Sequence, residues 1–190
     1  MIFGSKTLLP EGMGSMPKEM QSAGLVSLCS DCGSQAVVER GAWRFRESGL
    51  DNVVLKGIEI IKCPACGNEE PIIPNLDGLL RVIAVAIVTN RLPLTGAEVR
   101  YLRKYLEMSG DQFARILHTD KSTLSKWETG AVNIGSKSDL LIRSVALNLG
   151  RGLRDEAERV TRNFEHIDEE STAPPNRIEV DSETLEYEYA

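Results

Sequence analysis

Hydrophobic and polar positions along this chain change period twice. Through "AVVERGAWRFRESG" (36–49) and "NVVLKGIEIIKC" (52–63), β-branched and aromatic residues alternate with polar ones, a period of two that predicts two or three antiparallel strands. From Asn75 to Arg91 the pattern becomes a nearly continuous apolar run, "LDGLLRVIAVAIVTN". It predicts a connecting helix stopped at Asn90 and the Leu92-Pro93 step, since proline disfavours helix in the residue before it. The apolar surface of that helix suits either packing inside the chain or a contact with a second copy, and periodicity does not separate the two.

After Pro93 the spacing becomes helical. Thr95-x-x-Glu98 is a capping box ahead of Val99, Leu102 and Leu106, and Gly110 is expected to break the helix it opens. Asp111 is placed to cap a short second helix, "QFARIL", and Asp120 with Lys121 to open a third, "STLSKWETG", stopped by Gly130. A further box, Ser136-x-x-Asp139, starts a fourth helix with Leu140, Leu141, Val145 and Leu149 inward, ending at Gly150. Helices this short need mutual packing, so Phe113, Ala114, Leu117, Leu124 and Trp127 are the expected core. Residues before Val26 have no pattern and are expected to be disordered, and a solvated tail is expected from Asp168 onward.

Composition narrows the function classes. The chain is 42% apolar and 26% charged, as in a soluble globular protein, and its 190 residues favour two small modules. The longest apolar run, Leu79 to Val88, carries Arg81 and falls well short of the roughly 20 residues that cross a bilayer. No secretory signal is visible, so a cytoplasmic protein with no membrane partner is expected. The net charge of −6 is unevenly spread. Residues 1–90 hold 8 Lys/Arg against 10 Asp/Glu, residues 91–154 hold 11 against 6, and residues 155–190 hold 3 against 12. Only the middle third suits a polyanion.

The four cysteines form two Cys-x-x-Cys-Gly turns, "CSDCG" at Cys29/Cys32 and "CPACG" at Cys63/Cys66, with none left over. Two thiolates from each tight turn make the ligand set of one structural Zn2+ per chain, Gly33 and Gly67 letting backbone amides turn towards sulfur. The 30 residues between the pairs, 33–62, exceed the spacing of an ordinary zinc ribbon, so the insert must be folded. A thiol redox switch or unmetallated cysteines are the competing readings. Four thiolates leave no open position for a water nucleophile, and there is no phosphate-cradling loop, Gly-x-Ser-x-Gly or His-Glu-x-x-His, so no enzyme is expected and no catalytic residue is assigned. His118 and His166 stand alone, and Trp43 with Arg44 and Arg46 reads as core before it reads as a binding surface.

The string from Thr95 to Gly130, with Gln112 leading its second helix and Ser125-x-x-Glu128-x-Gly130 ending the third, resembles the Cro-type (XRE) helix-turn-helix superfamily. Joined to the two cysteine turns and their long insert, residues 26–150 resemble the MqsA/YgiT family of zinc-finger plus helix-turn-helix antitoxins and regulators. The resemblance implies an α+β fold, a small N-terminal zinc-binding β module followed by an all-α, lambda-repressor-like helix-turn-helix domain. The corresponding divisions are a disordered 1–25, a zinc domain over 26–74, a linker helix over 75–94, a DNA-binding domain over 95–153, and a helical extension and acidic tail over 154–190. It implies a homodimer formed through the C-terminal module and repression at a palindromic double-stranded operator, often upstream of its own gene. A cognate toxin held by the zinc module is also implied.

In a helix-turn-helix the start of the third helix enters the major groove, which makes Lys121, Ser122, Thr123 and Lys126 the candidates for base edges. Ser122 and Lys126 match the base-reading Asn and Arg of that family, keeping hydrogen bonds but losing bidentate geometry, so the operator should differ. Gln112 matches the superfamily's phosphate-contacting glutamine, with Ser125 and Lys137 as further phosphate partners. The alternative is a protein-interaction module whose zinc domain and acidic tail hold a partner protein while the helices dimerise. An archaeal multiprotein-bridging coactivator also joins a zinc ribbon to a Cro-type domain, but its zinc module lacks the long insert.

Overall fold

A computed structural model describes residues 26–156 and 176–190. The N-terminal 1–25 and the stretch 157–175, including His166 and the predicted start of the acidic tail, lie outside the described residues. The elements run β1 (Val26–Leu28), β2 (Gln35–Arg44), β3 (Val53–Lys62), β4 (Glu69–Ile72), α1 (Leu76–Thr89), α2 (Gly96–Tyr105), α3 (Gly110–Ile116), α4 (Lys121–Glu128), α5 (Ser136–Leu149), β5 (Ile178–Asp181) and β6 (Tyr187–Tyr189). Among the described residues the architecture is mixed α/β, a six-stranded sheet carrying five α-helices.

Strand β3 organises the sheet. One edge pairs antiparallel with β2, as the period-two pattern predicted, while the other is shared by β4 along 59–62 and β5 along 53–56. The division falls at Gly57, whose φ of +68° is one that side chains rarely adopt, and there Lys56 and Gly57 face only Ala42 of β2. Such a bulge bends the strand so that its two halves serve different neighbours. The β3–β5 pairing is parallel, which the long connection through all five helices permits.

Helix α1 was expected as a connector, and it lies instead at the centre of the core. Residues Val82 to Thr89 are all buried, and one continuous cluster joins Leu55 and Ile58 of the sheet, Ile83 and Ile87 of α1, and Leu102, Phe113, Leu124 and Ile142 of the other helices. Its apolar surface is therefore used within the chain. Asn75 caps it by accepting a bond from the Gly78 amide at 2.9 Å, and the helix stops at Asn90 as predicted.

The C-terminus departs furthest from expectation. In place of a solvated tail, residues 178–189 add two strands to the sheet, with Ile178 and Val180 fully buried. The Ile178 amide donates to the Asn52 carbonyl at 2.8 Å, and the Tyr189 hydroxyl donates to the Ala86 carbonyl at 2.5 Å. The local sequence explains this: Ile-Glu-Val-Asp and Tyr-Glu-Tyr alternate apolar with acidic, so one face packs on α1 while Glu179 and Glu188 meet Lys56.

The helical region follows its predicted core, Phe113, Ala114, Leu117, Leu124 and Trp127 all being buried, but several ends differ. Thr95 and Glu98 form the expected box. Helix α2 stops at Glu107, left-handed at φ +57°, with the Met108 amide bonding back to the Arg103 carbonyl, and Gly110 is the first residue of α3. The cap of α3 is Ser109 in a reciprocal box with Gln112, not Asp111. Gly135 rather than Ser136 caps α5, because Asp139 turns inward. Its buried face holds Asp139, Ile142, Arg143, Ala146 and Leu147, whereas Leu140, Leu141 and Leu149 are 39 to 53% exposed. The helix is rotated by about one residue, 100°, from the purely apolar reading, because a buried ion pair occupies its inner side.

Candidate functional site

Each cysteine turn is built the same way. The Cys29 amide donates to Ser34 and the Gly33 amide returns to Cys29, at 2.9 and 3.0 Å; the Cys63 amide donates to Asn68 and the Gly67 amide returns to Cys63, both at 2.9 Å. Gly33 and Gly67 sit at φ +70° and +77°, a conformation costly for any other residue there. Strands β2 and β3 separate and rejoin the two turns, so the long insert is the hairpin that brings them face to face. The Cys29 and Cys66 sulfurs are then 3.6 Å apart, as are those of Cys32 and Cys63, and all four lie within 4.8 Å of one another. A tetrahedron of thiolates about 2.3 Å from a central ion has edges of about 3.8 Å, close to the two shortest separations, so these four could hold a metal ion. Cys29 and Cys63 are buried and Cys32 and Cys66 exposed.

The thiols perturb one another. Hydrogen bonds from the Ser34 side chain and amide bring Cys32 down to about 6, whereas Cys66, despite the lowering pull of the Asn68 amide, is pushed up to about 12 by the three neighbouring sulfurs. Four thiols this close cannot all ionise without a cation among them. Beside them Asn68 Nδ2 lies 4.0 Å from the Cys29 sulfur and 3.5 Å from the Ser30 hydroxyl, which in turn donates to Glu70 at 2.8 Å.

Of the predicted DNA-contacting residues, Gln112 falls on α3 and Lys121, Ser122, Thr123, Ser125 and Lys126 on α4, the two helices being joined by a four-residue turn. On α4, Leu124 and Trp127 are buried, while Lys121, Ser122, Ser125 and Lys126 are exposed and Thr123 is half-buried. The four exposed side chains thus share the side opposite the core. Lys121 pairs with Asp111 at 3.0 Å, across the exposed surface. Gln112 is exposed, and its Oε1 accepts from both the amide and the hydroxyl of Ser109 at 2.9 Å, leaving its amide nitrogen outward. Lys137 is exposed at the start of α5. His118 is exposed in the turn after α3 at φ +49°. Trp43 is half-buried against the core, its Nε1 enclosed without an acceptor among the described residues.

Three supporting residues carried no sequence signal of their role. Arg103 grips Glu128 with two bonds, 2.6 and 3.0 Å, and Arg100 reaches the Glu128 carbonyl at 3.1 Å, so α4 is held against α2 at its end. Gly96 permits that approach: a Cβ there would lie 2.1 Å from the Trp127 carbonyl oxygen. Glu128 and Gly130 were visible as a motif; Arg103 was not, since its partner is 25 residues away. Compared with family models, with curated proteins and with solved structures, the chain finds no match in any of the three.

Proposed function

We propose that this chain is a sequence-specific DNA-binding transcriptional repressor of the MqsA/YgiT kind, with no catalytic activity, acting in the cytoplasm with one structural Zn2+ on Cys29, Cys32, Cys63 and Cys66. The observation that carries the reading is α4, which turns Leu124 and Trp127 inward and leaves Lys121, Ser122, Ser125 and Lys126 on one open face. Helices α3 and α4 then serve as the helix-turn-helix, with α4 in the major groove, Lys121, Ser122, Thr123 and Lys126 towards base edges, and Gln112 and Ser125 on phosphates. The charge distribution supports this, because Glu128 and Asp139 are already paired with Arg103 and Arg143, and although Lys121 pairs with Asp111, Lys126 and Lys137 make no ion pair among the described residues and are left to meet a phosphate. An all-sulfur tetrahedral set suits zinc or iron and disfavours the hard cations Mg2+ and Ca2+.

A homodimer on a palindromic operator follows from the same resemblance, and the exposed Leu141 and Leu149, two turns apart on α5, supply an apolar stripe for it. A cognate toxin on the zinc module is the part of the reading that rests on the resemblance alone. The alternative in which the acidic C-terminus is a free capture arm is less favoured, since Glu179, Glu183 and Glu188 are engaged by Lys56 and Arg40.

The test is fluorescence anisotropy of the zinc-loaded protein against its own upstream DNA and a scrambled duplex, at about 50 and 200 mM salt. Tight binding to the upstream DNA that weakens steeply with salt is expected. Lys126→Ala should weaken binding to the upstream DNA more than to the scrambled duplex, and equal losses on both would remove Lys126 from the base-reading set. Weak, equal binding of the parent protein to both duplexes would overturn the repressor reading.

A further inference from the structure

A cleft of about 670 Å3 opens between the first turns of α1, the last turn of α2 and the turn after α5. Three cations line it, one from each element: Arg81, Lys104 and Arg151. Several other basic side chains are matched with carboxylates, as in Arg40 with Glu183, Lys62 with Glu39, Arg103 with Glu128 and Arg143 with Asp139. Arg81, Lys104 and Arg151 form no ion pair among the described residues. Asp77 and Glu107 also border the cleft, leaving the cations in excess by one.

The cleft is built rather than accidental in two respects. Tyr105 forms part of its wall and is fixed there, its hydroxyl donating to the Arg151 carbonyl at 2.6 Å. Gly152, at φ +71°, brings the turn against Arg81 so closely that a Cβ would lie 2.8 Å from Arg81 Cδ and 3.2 Å from Nη1. The Arg81 side chain therefore passes directly over the Gly152 backbone. The Tyr105 phenol is raised by burial, drawn down by Arg81 and Arg151, and pushed back up by Asp77, so it feels the charges of the cleft. Leu80 adds an apolar surface to the same wall.

We infer that this cleft binds a small oxyanion-bearing ligand, its phosphate or carboxylate held among Arg81, Lys104 and Arg151 and an apolar or flat remainder laid on Tyr105 and Leu80. The volume falls within the range of small-molecule sites, and convergent cations on a partly apolar wall are the usual arrangement for such ligands. The site is separate from the exposed face of α4 and does not depend on DNA binding.

The experiment is a titration of the zinc-loaded full chain, followed by amide NMR, with sodium phosphate in one arm and phenyl phosphate in the other. Saturable shifts centred on Arg81, Lys104, Tyr105 and Gly152 are expected, with phenyl phosphate the tighter of the two because only it uses the Tyr105 wall. Tighter binding of phosphate alone would overturn the apolar part. Arg81→Gln and Arg151→Gln, made separately so that one informs if the other misfolds, should each weaken phenyl phosphate at least about tenfold while thermal melting stays unchanged; Lys104→Gln is the third such variant. The proposal fails if the shifts do not saturate, if they centre on Lys121 and Lys126, or if the folded variants bind as the parent does.

Discussion

Arg143 tests how the two ends of the fold are joined. Its side chain is 1% exposed and makes five bonds: Nε to Asp139 at 2.5 Å, Nη1 to the carbonyls of Ile87, Val88 and Asn90 at 3.0, 3.1 and 2.6 Å, and Nη2 to the Leu92 carbonyl at 2.7 Å. One guanidinium from α5 thus bonds the Ile87 and Val88 carbonyls in the last turn of α1 and the Asn90 and Leu92 carbonyls of the turn that follows, while the other Asp139 oxygen accepts from the Leu94 amide at 2.6 Å. In Arg143→Ala a buried carboxylate keeps one partner and four carbonyls lose a charged donor. Breaking a buried pair from one side costs about 3–5 kcal/mol, so a loss of about 4 kcal/mol is expected, a large part of the stability of an ordinary domain. Urea unfolding of the zinc-loaded protein measures it, the midpoint falling at constant slope. The double variant Arg143→Met with Asp139→Leu strands no charge and should lose less than the single one. An Arg143→Ala protein within about 1 kcal/mol of the parent would refute the account of α1's end as held by this residue.

Glu98, 3% exposed, bonds the Thr95 amide and hydroxyl through one oxygen, at 2.7 and 2.9 Å, which a glutamine oxygen can replace. Burial raises its carboxyl above the ordinary range, so the folded state binds the proton more tightly than the unfolded one, and the stability this contributes is lost as pH rises through the folded value. Glu98→Gln should therefore exceed the parent in stability at about pH 8, with the gap closing towards about pH 4; a gap that widens on acidification would reverse the sign. Cys29, Ala36 and Cys63, with Ile61 beside them, form a small cluster separate from the main core. Stripping the metal with a chelator should consequently speed hydrogen exchange in 26–37 and 60–70 and leave α1 and β5 protected, whereas exchange rising throughout the chain would make the metal a support of the whole fold. Ile178→Ala empties a fully buried position between β3 and α1, with an expected cost of about 3 kcal/mol and earlier proteolysis within 176–190; an unchanged melting curve would mean that the C-terminal strands add no stability.

The parts of the fold that were legible in the sequence are those whose causes lie within a few residues. The Thr95/Glu98 box, the stop at Asn90, the β2–β3 hairpin and the inward Phe113, Leu124 and Trp127 are each decided by near neighbours, and periodicity read them correctly. The cysteine cluster was legible for a related reason: each Cys-x-x-Cys-Gly turn is local, and only the meeting of the two depends on the hairpin between them. The exposed face of α4 follows from the same helical spacing, although its partner Arg103 does not.

What stayed hidden is decided by partners far along the chain. Leu140, Leu141, Val145 and Leu149 look like an inner face only if charge is assumed to lie outside, and that assumption fails because the carbonyls left open at the end of α1, some 53 residues earlier, require a donor. A single arginine meets that need, Asp139 neutralises it, and the pair sets the rotation of α5, turning leucines to the surface. The C-terminus misled in the same way. Its acidic residues suggested solvation, yet Glu179 and Glu188 are the outward half of an alternating strand whose other half, Ile178, Val180, Tyr187 and Tyr189, had its partner surface on α1 and β3. In both places a charge that looked like a mark of the surface was the companion of a buried group. The two errors share one physical cause: the free energy of a charged side chain depends on the group opposite it, and local sequence does not reveal which group that is.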